Sequence, residues 1–326
     1  MLGAYAAREG QPLCDFPTDG NLADAQWIDL LEPTEEEKKR VEEATGLSVA
    51  TEEDLAAIET SSRLAFDGHA IYLSMPLVAK VEGQPPIVRP IGFILSQDKL
   101  VTIRFHRSRA FHNFLDVQHR VPMEAAAPID IFILLLEAIS DRLADLLESV
   151  RDELDAISKA IFLDKQIDKE KPSRKGDELQ EVLKALGRAA DVMSSARDSL
   201  LGVGRILPYV TQIAASWIDR EMRDRIKSLR QDVTSLADYD NHLNQKLQFL
   251  LDATLGLINN AQNKIIKVLT VVSAVGVPPT LVASIYGMNF KDMPELNWAF
   301  GYPYGLTLIF ITAIIPLIWF KVRGWL

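Results

Sequence analysis

The sequence predicts an α+β membrane protein: a cytosolic α/β domain, then a stalk of long helices that continues into the first of two C-terminal transmembrane helices. Three observations predict it. Strand-like runs of Ile, Val, Leu and Phe are confined to residues 1–127. Helical periodicity with dense charge outside it then takes over. Two long apolar runs, separated by a short polar link, close the chain. The implied divisions are 1–127 for the α/β domain, 128–264 for the stalk, 265–286 for the first span, 287–300 for an external loop, 301–320 for the second span and 321–326 for a basic tail.

In order, residues 25–31 read as a strand. Thr34-x-x-Glu37 is a capping box opening a charged helix that stops near Gly46, and a second short helix begins at Thr51. Residues 64–81 and 87–105 are strand-like and broken by Asp67-Gly68 and by Ser96-Gln97-Asp98-Lys99. Those breaks predict hairpin turns in a largely antiparallel sheet. From Pro128 the strand signal vanishes. Residues 129–162 and 177–206 carry helical periodicity, with a lysine-bearing solvated turn between them. A third helix starts near Trp217, meets no proline or glycine until Gly256, and runs on into the first span.

That span, 265–286, is about 33 Å long at 1.5 Å per residue, enough to cross the hydrocarbon core. The second run carries no charge until Lys321 and Arg323. Lys264 and Lys267 flank the first span and these two follow the second, against Lys291 in the link, so both termini are expected in the cytosol. The start, MLGAYAAREG, has neither a basic n-region nor an apolar h-region, so no signal peptide is expected.

The net charge is −10. Residues 257–326 hold five cations against two carboxylates, which leaves about −13 on the rest. This excludes nucleic acid as a partner and favours cations. Cys14 is the only cysteine, as suits a reducing compartment, and the five histidines make no ligand spacing. No Walker A loop and no Gly-x-Ser-x-Gly elbow occurs, and Gly202-Val203-Gly204 lacks the third glycine and preceding strand of a dinucleotide site. The chain is therefore expected to be no enzyme, with no organic cofactor and no bound ATP.

The third helix is the most informative. Leu229, Leu236, Leu243, Leu250 and Leu257 recur every seven residues, the seam of a coiled-coil-like contact. Thr234, Asp238, Asn241, Gln245, Gln248, Asp252, Asn259 and Asn263 fall within an arc of roughly 100° on another face. Continued upward, the arc takes in Ile266, Thr270, Ser273, Val277, Thr280 and Ser284. Two readings stand. In one, the lower stripe is a solvated face and the hydroxyls bond back to their own helix. In the other, symmetric copies line a water-filled path. Two helices of one chain cannot enclose a pore, so the second reading requires a ring of identical subunits.

The link carries the family signal. Tyr286 to Pro303 reads YGMNFxxMPELxWxFGYP, and a second span ending in Lys321-Val322-Arg323-Gly324-Trp325-Leu326 follows. This resembles the CorA family of magnesium transporters. The resemblance extends through Gln262 to Lys267 and through Pro278 to Ser284, and more loosely over the whole chain. It implies a CorA-like funnel, a homopentamer in a bacterial inner membrane, and a channel for Mg²⁺ that also passes Co²⁺ and Ni²⁺. Gly287-Met288-Asn289 would form the selectivity entrance on the periplasmic side. Mg²⁺ gives up its water reluctantly. A ring of neutral Asn289 amides would accept hydrogen bonds from the hydrated ion without trapping it. The resemblance makes the first span pore-lining, with Asn263, Ile266, Leu269, Thr270, Val277 and Thr280 facing or constricting the path. Ile266, Leu269 and Val277 would gate by dewetting.

The family also senses cytosolic Mg²⁺ through acidic residues between neighbouring subunits. Glu53-Asp54-Leu55 resembles the segment supplying one carboxylate, and Asp232 is the candidate partner on the long helix. A zinc transporter of the same superfamily, or a membrane-anchored helical scaffold that conducts nothing, are the competing expectations. Met288 and the intact Met293-Pro294-Glu295-Leu296 favour magnesium over zinc.

Overall fold

The computed structural model describes residues 1–17, 20–56, 63–79, 86–123, 127–162, 172–288 and 293–325, with backbone alone at 172–177 and 296. Strands β1 (Leu2–Ala6), β2 (Cys14–Asp15), β3 (Trp27–Leu31), β4 (Leu64–Phe66), β5 (Ile71–Ala79), β6 (Ile87–Leu95) and β7 (Leu100–Arg104) form one sheet, ordered β2-β1-β3-β7-β6-β5-β4. The antiparallel hairpins are where the breaks in hydrophobicity put them. Asp67 closes the first by accepting from the His69 and Ala70 amides, both at 2.8 Å. Ser96 N donates to the Lys99 carbonyl to close the second.

The sheet is mixed, because β3 pairs with β7 in parallel, Trp27 beside Leu100 through Leu31 beside Arg104. A parallel pairing needs a crossover. This one passes through helices α1 (Glu35–Thr45) and α2 (Glu52–Leu55) before the chain returns as the β4–β7 meander. Both central strands are buried along their whole length, so Asp29 in β3 needs a partner, and Arg104 of β7 supplies it. One sheet face packs Ile28, Leu30, Ile94, Val101 and Ile103 against Val41 of α1 and Leu55 of α2. On the other, Trp27 meets Phe111 and Phe114 of α3 (Arg109–Gln118), and Phe93 meets Phe132 of α4 (Pro128–Phe162) edge-on at 5.3 Å. Strand β1 was not foreseen: with alanines and a glycine among five residues it carries no β-branched signal.

Helix α5 (Pro172–Ile213) is longer at both ends than the periodicity suggested. It begins inside the expected turn, the rest of which lies outside the described residues, and it runs past Pro208. The proline forfeits one hydrogen bond, while Val203, Ile206, Leu207 and Val210, all fully buried, hold the helix together across it. Where α5 crosses β5 the approach is close. The Val78 amide donates to Ser199 Oγ at 3.1 Å, and a Cβ on Gly202 would come within 2.6 Å of Met75 Cβ. Gly202, dismissed above as half a nucleotide motif, is thus a packing glycine. Gly202→Ala is expected to cost about 1–3 kcal/mol and to lower the thermal unfolding midpoint of the detergent-solubilised protein. Gly187→Ala, whose Cβ meets nothing, is expected to hold or raise it.

Helix α6 (Arg220–Tyr286) is one unbroken helix, and α7 (Gly301–Val322) follows it. Met222, Leu229, Leu243 and Leu250 are buried at seven-residue spacing, as are Ile226, Val233 and Leu247 on the adjoining position. Leu236 and Leu257 of the expected seam are only half-buried. That adjoining position also holds a buried Asp240, whose carboxylate accepts from Arg197 Nε of α5 at 2.7 Å. A buried polar residue in a helical seam fixes its register, since any slip strands the charge. By tertiary contacts the chain forms two units, Met1–Leu163 with Lys184–Leu250, and Asp164–Leu183 with Leu251–Leu326.

Candidate functional site

The polar stripe on α6 is left uncovered by its own chain. Thr234, Asp238, Asn241, Gln245, Gln248, Asp252, Asn259 and Asn263 are all exposed. So are Thr270, Ser273, Thr280 and Ser284, and the apolar members Ile266, Leu269 and Val277, at 59%, 64% and 63%. No residue of 265–286 is buried on any face, so the large apolar side chains of this run need lipid or another copy against them. Asn241 of the stripe is engaged by another helix, its Oδ1 accepting from Arg197 Nη2 at 2.9 Å.

The hydroxyls behave as the blander reading expects. Thr270 Oγ1 donates to the Ile266 carbonyl and Thr280 Oγ1 to the Gly276 carbonyl, both at 2.8 Å. Each oxygen keeps acceptor capacity after giving its proton inward. Two further acceptors were not foreseen. Pro278 and Pro279 lie inside α6 and have no N–H, so the helix supplies no donor four residues on to the Ala274 and Val275 carbonyls. Ala274 and Pro278 border a shallow groove with Leu269, Thr270, Ser273 and Val277. The signal was the Pro-Pro pair itself.

At the top of α6 the Gly287 amide donates to the Ala283 carbonyl at 3.0 Å and the Met288 amide to Ile285 at 3.2 Å, which tightens the last turn. Gly287 does not adopt a positive φ; among the described residues the glycines that do are Gly10, Gly46, Gly68 and Gly324. Its constraint is steric instead, since a Cβ would sit 3.2 Å from the Ala283 carbonyl oxygen. Met288 is exposed, and Asn289 lies outside the described residues. Beyond it, Pro294–Asn297 forms a 3₁₀ turn whose Glu295 carbonyl accepts from Trp298 N. The Gly301 amide then donates to Trp298 O at 3.0 Å, and the Trp298 ring meets Tyr304 edge-on at 6.0 Å. Gly301 passes so close beneath the Glu295 carbonyl that a Cβ there would overlap its oxygen.

The two regulatory candidates are not brought together within one chain. Asp54 completes a capping box, its Oδ2 accepting from Thr51 N at 3.0 Å and from Thr51 Oγ1 at 2.6 Å. These hydrogen bonds hold its carboxyl below the usual range, so it is ionised at neutral pH. Asp232 is exposed on α6 beside a groove shared with Glu137 and Asp141 of α4. Burial first, and then Glu137, Asp145 and Asp232, push the Asp141 carboxyl up. Among the described residues no three His, Cys, Asp or Glu side chains of one chain cluster to hold a metal.

The basic tail does more than report sidedness. Gly324, at φ 69, turns the chain back so that Trp325 N donates to the Phe320 carbonyl at 2.9 Å. The Trp325 ring stacks on Phe320, and Lys267 of the first span lies 5.4 Å above its centroid. The last residues thereby grip the base of the first apolar segment.

Comparison with known proteins places this arrangement. The family described as CorA-like Mg²⁺ transporter protein matches residues 23–323. A magnesium transport protein CorA from Sodalis glossinidius is 33% identical over 316 residues, 96% of this chain and 95% of that protein. The one from Escherichia coli K12 is 32% identical over 305 residues, 94% and 93% of the two chains. Among solved structures, the complete CorA magnesium transporter of Methanocaldococcus jannaschii shares the fold, with a TM-score of 0.74 at 20% identity over 100% of this chain and 99% of that one. Full-length CmaX does so at 0.69 and 16%, covering 100% and 97%.

Proposed function

Because the chain belongs to the CorA-like Mg²⁺ transporter family, we propose that it carries hydrated Mg²⁺ inward along α6, at the centre of a ring of five identical chains in an inner membrane, both termini cytosolic. Mg²⁺ transport is the function, and full-length relatives named for magnesium leave the zinc alternative without support. The single observation behind the path is the α6 stripe, polar and open over residues 234–252 while the seam from Met222 to Leu250 is buried, and continued in phase by the hydroxyls of the apolar run. A ring closes that stripe on itself. Asn289 holds the hydrated ion at the entrance, with Gly287 and Met288 shaping the turn. Thr270, Ser273, Thr280, Ser284 and Asn263 offer oxygen acceptors to its water shell. The membrane potential drives a doubly charged ion inward at about 2.3 kcal/mol per charge per 100 mV, so no nucleotide is required. Reconstituted liposomes test this with Mg²⁺, Co²⁺, Ni²⁺ and Zn²⁺ in one preparation. Mg²⁺ influx is expected, with Co²⁺ and Ni²⁺ also passing. Absence of flux would indicate the scaffold, and preference for Zn²⁺ the other branch of the superfamily.

Ile266, Leu269 and Val277 form the constriction. Apolar rings of this kind close by expelling water. Val277→Ser or Ile266→Ser is therefore expected to wet the segment and raise the leak at high cytosolic Mg²⁺ severalfold. An unchanged closed-state leak moves the gate elsewhere.

Closure is driven by Mg²⁺ bridging carboxylates of adjacent chains. The soluble part carries about −13, so carboxylates crowd at subunit boundaries and repel. A bound divalent ion offsets that repulsion in the closed ring and is lost when cytosolic Mg²⁺ falls. Asp54 is the first candidate and Asp232 its partner. Protease protection of the purified oligomer reads the state. Mg²⁺ is expected to protect the wild type, and Asp54→Lys to look protected without it. A mutant titrating like wild type removes Asp54 from the sensor.

A further inference from the structure

The apolar run 265–286 carries a single charge, Lys267, four residues above Asn263 and three below Thr270. Residues three and four apart are neighbours on a helix surface. On a wheel of 100° per residue Lys267 sits about 40° from Asn263 and about 60° from Thr270, just outside the stripe. From there an ammonium on a four-carbon stem can swing over the stripe or away from it. A charge within a lipid-spanning run is costly and calls for a partner that holds it. Among the described residues no carboxylate pairs with Lys267, and its partner is an aromatic ring.

That ring is Trp325, whose centroid lies 5.4 Å from the Lys267 ammonium, within the range of a cation–π contact. The ring is itself fixed in three ways. Gly324, at φ 69, turns the chain, Trp325 N donates to the Phe320 carbonyl at 2.9 Å, and the indole stacks on the Phe320 ring at 5.4 Å. Phe320 is 4% exposed and is the one buried residue among the described residues of α7. Exposure along α6 agrees with a held lysine. From Gln262 to Thr270 every residue is exposed except Lys267, which is half-buried. Arg323 has a ring of its own, with its guanidinium 5.3 Å over Trp319.

We propose, on the reading of α6 as the lining of the ion path, that Trp325 is a positioning residue for transport. Its ring parks the Lys267 ammonium against the end of α7 and so keeps that charge off the path. In a symmetric ring of chains the lysine repeats at one level, beside the apolar constriction of Ile266 and Leu269. Ammonium groups turned inward there raise an electrostatic barrier to a doubly charged cation, and the same groups held on aromatic faces do not. The test is Mg²⁺ influx into liposomes, with all variants matched for assembled oligomer by size-exclusion chromatography. Trp325→Ala should lower influx about tenfold through that barrier, and Trp325→Phe, which keeps a ring, should fall between it and wild type. The decisive variant is Trp325→Ala combined with Lys267→Gln. It should recover most of the lost influx, because the misplaced charge is gone, whereas damaged packing at the tail would not be mended by it. Trp325→Ala combined with Arg323→Gln should stay slow. Independently of transport, a water-soluble amine-acylating reagent, read by mass spectrometry, should modify Lys267 severalfold faster in Trp325→Ala than in wild type. Wild-type influx by Trp325→Ala, a Lys267→Gln double variant as slow as the single, recovery by Arg323→Gln, or equal acylation would each overturn the assignment. Absence of influx in wild type itself is the distinct result that removes the transport reading, and this role with it.

Discussion

Asn289→Ala is expected to abolish Mg²⁺ uptake while leaving the oligomer assembled. The amide contributes a neutral oxygen with two lone pairs. A ring of such oxygens can accept hydrogen bonds from the inner water shell without removing it, which matters because Mg²⁺ dehydrates reluctantly and demands near-octahedral geometry. On the proposed role, alanine removes this side-chain acceptor from the entrance, so an ion arriving from bulk water loses the group that recognises its shell. Asn289→Asp is the informative companion. A carboxylate ring binds the ion more tightly and releases it more slowly, and conduction requires that binding be weak enough to leave. Apparent affinity should rise in that variant while maximal flux falls. Size-exclusion chromatography separates either effect from failed assembly, and wild-type uptake by Asn289→Ala would remove the residue from the entrance.

Much of this chain is legible without coordinates, for definite physical reasons. The spans follow from length and apolarity, and the hairpins from Asp67-Gly68 and Ser96 to Lys99, where local turn chemistry decides the outcome. Capping at Thr34 and Thr51 is equally local, and both boxes form. What resists reading is whatever depends on distant partners. The parallel β3–β7 pairing, the Asp29–Arg104 ion pair across it and the Gly202–Met75 contact join residues far apart in sequence. Leu236 and Leu257 fit a heptad on paper but are only half-buried, because neighbours, rather than spacing, decide which turns are covered. For the site, the stripe on α6 was visible because a helix repeats its own geometry. The requirement at Gly287 is not legible in sequence, because one glycine serves either a positive φ or a close approach, and here it is the close approach. Gly301 and Trp325 were passed over altogether, their roles being set by a carbonyl and a lysine on other segments.

Gly301→Ala is expected to cut Mg²⁺ uptake by about tenfold to a hundredfold, although residue 301 touches no ion. The residue opens α7, and its amide donates to the Trp298 carbonyl at 3.0 Å. A Cβ would overlap the Glu295 carbonyl oxygen, while Trp298 Cβ, at 3.8 Å, would be in ordinary contact. The first obstacle is backbone, so no side-chain rotation relieves it. Either the Pro294–Asn297 turn or the first turn of α7 has to move, at about 1–3 kcal/mol for overpacking of this kind. That turn lies between residue 289 and the second apolar helix in sequence, and on the proposed role displacing it would disturb the entrance residues. In the proposed ring the shift is repeated in every copy, so the amide oxygens change their spacing together and no longer match the ion's water shell. Gly305→Ala, one turn further into α7, is the control, because a Cβ there meets nothing within 4 Å. It should transport like wild type. Normal uptake by Gly301→Ala, with the Trp298–Tyr304 contact preserved as judged by tryptophan fluorescence, would show that the loop holds its conformation by other means.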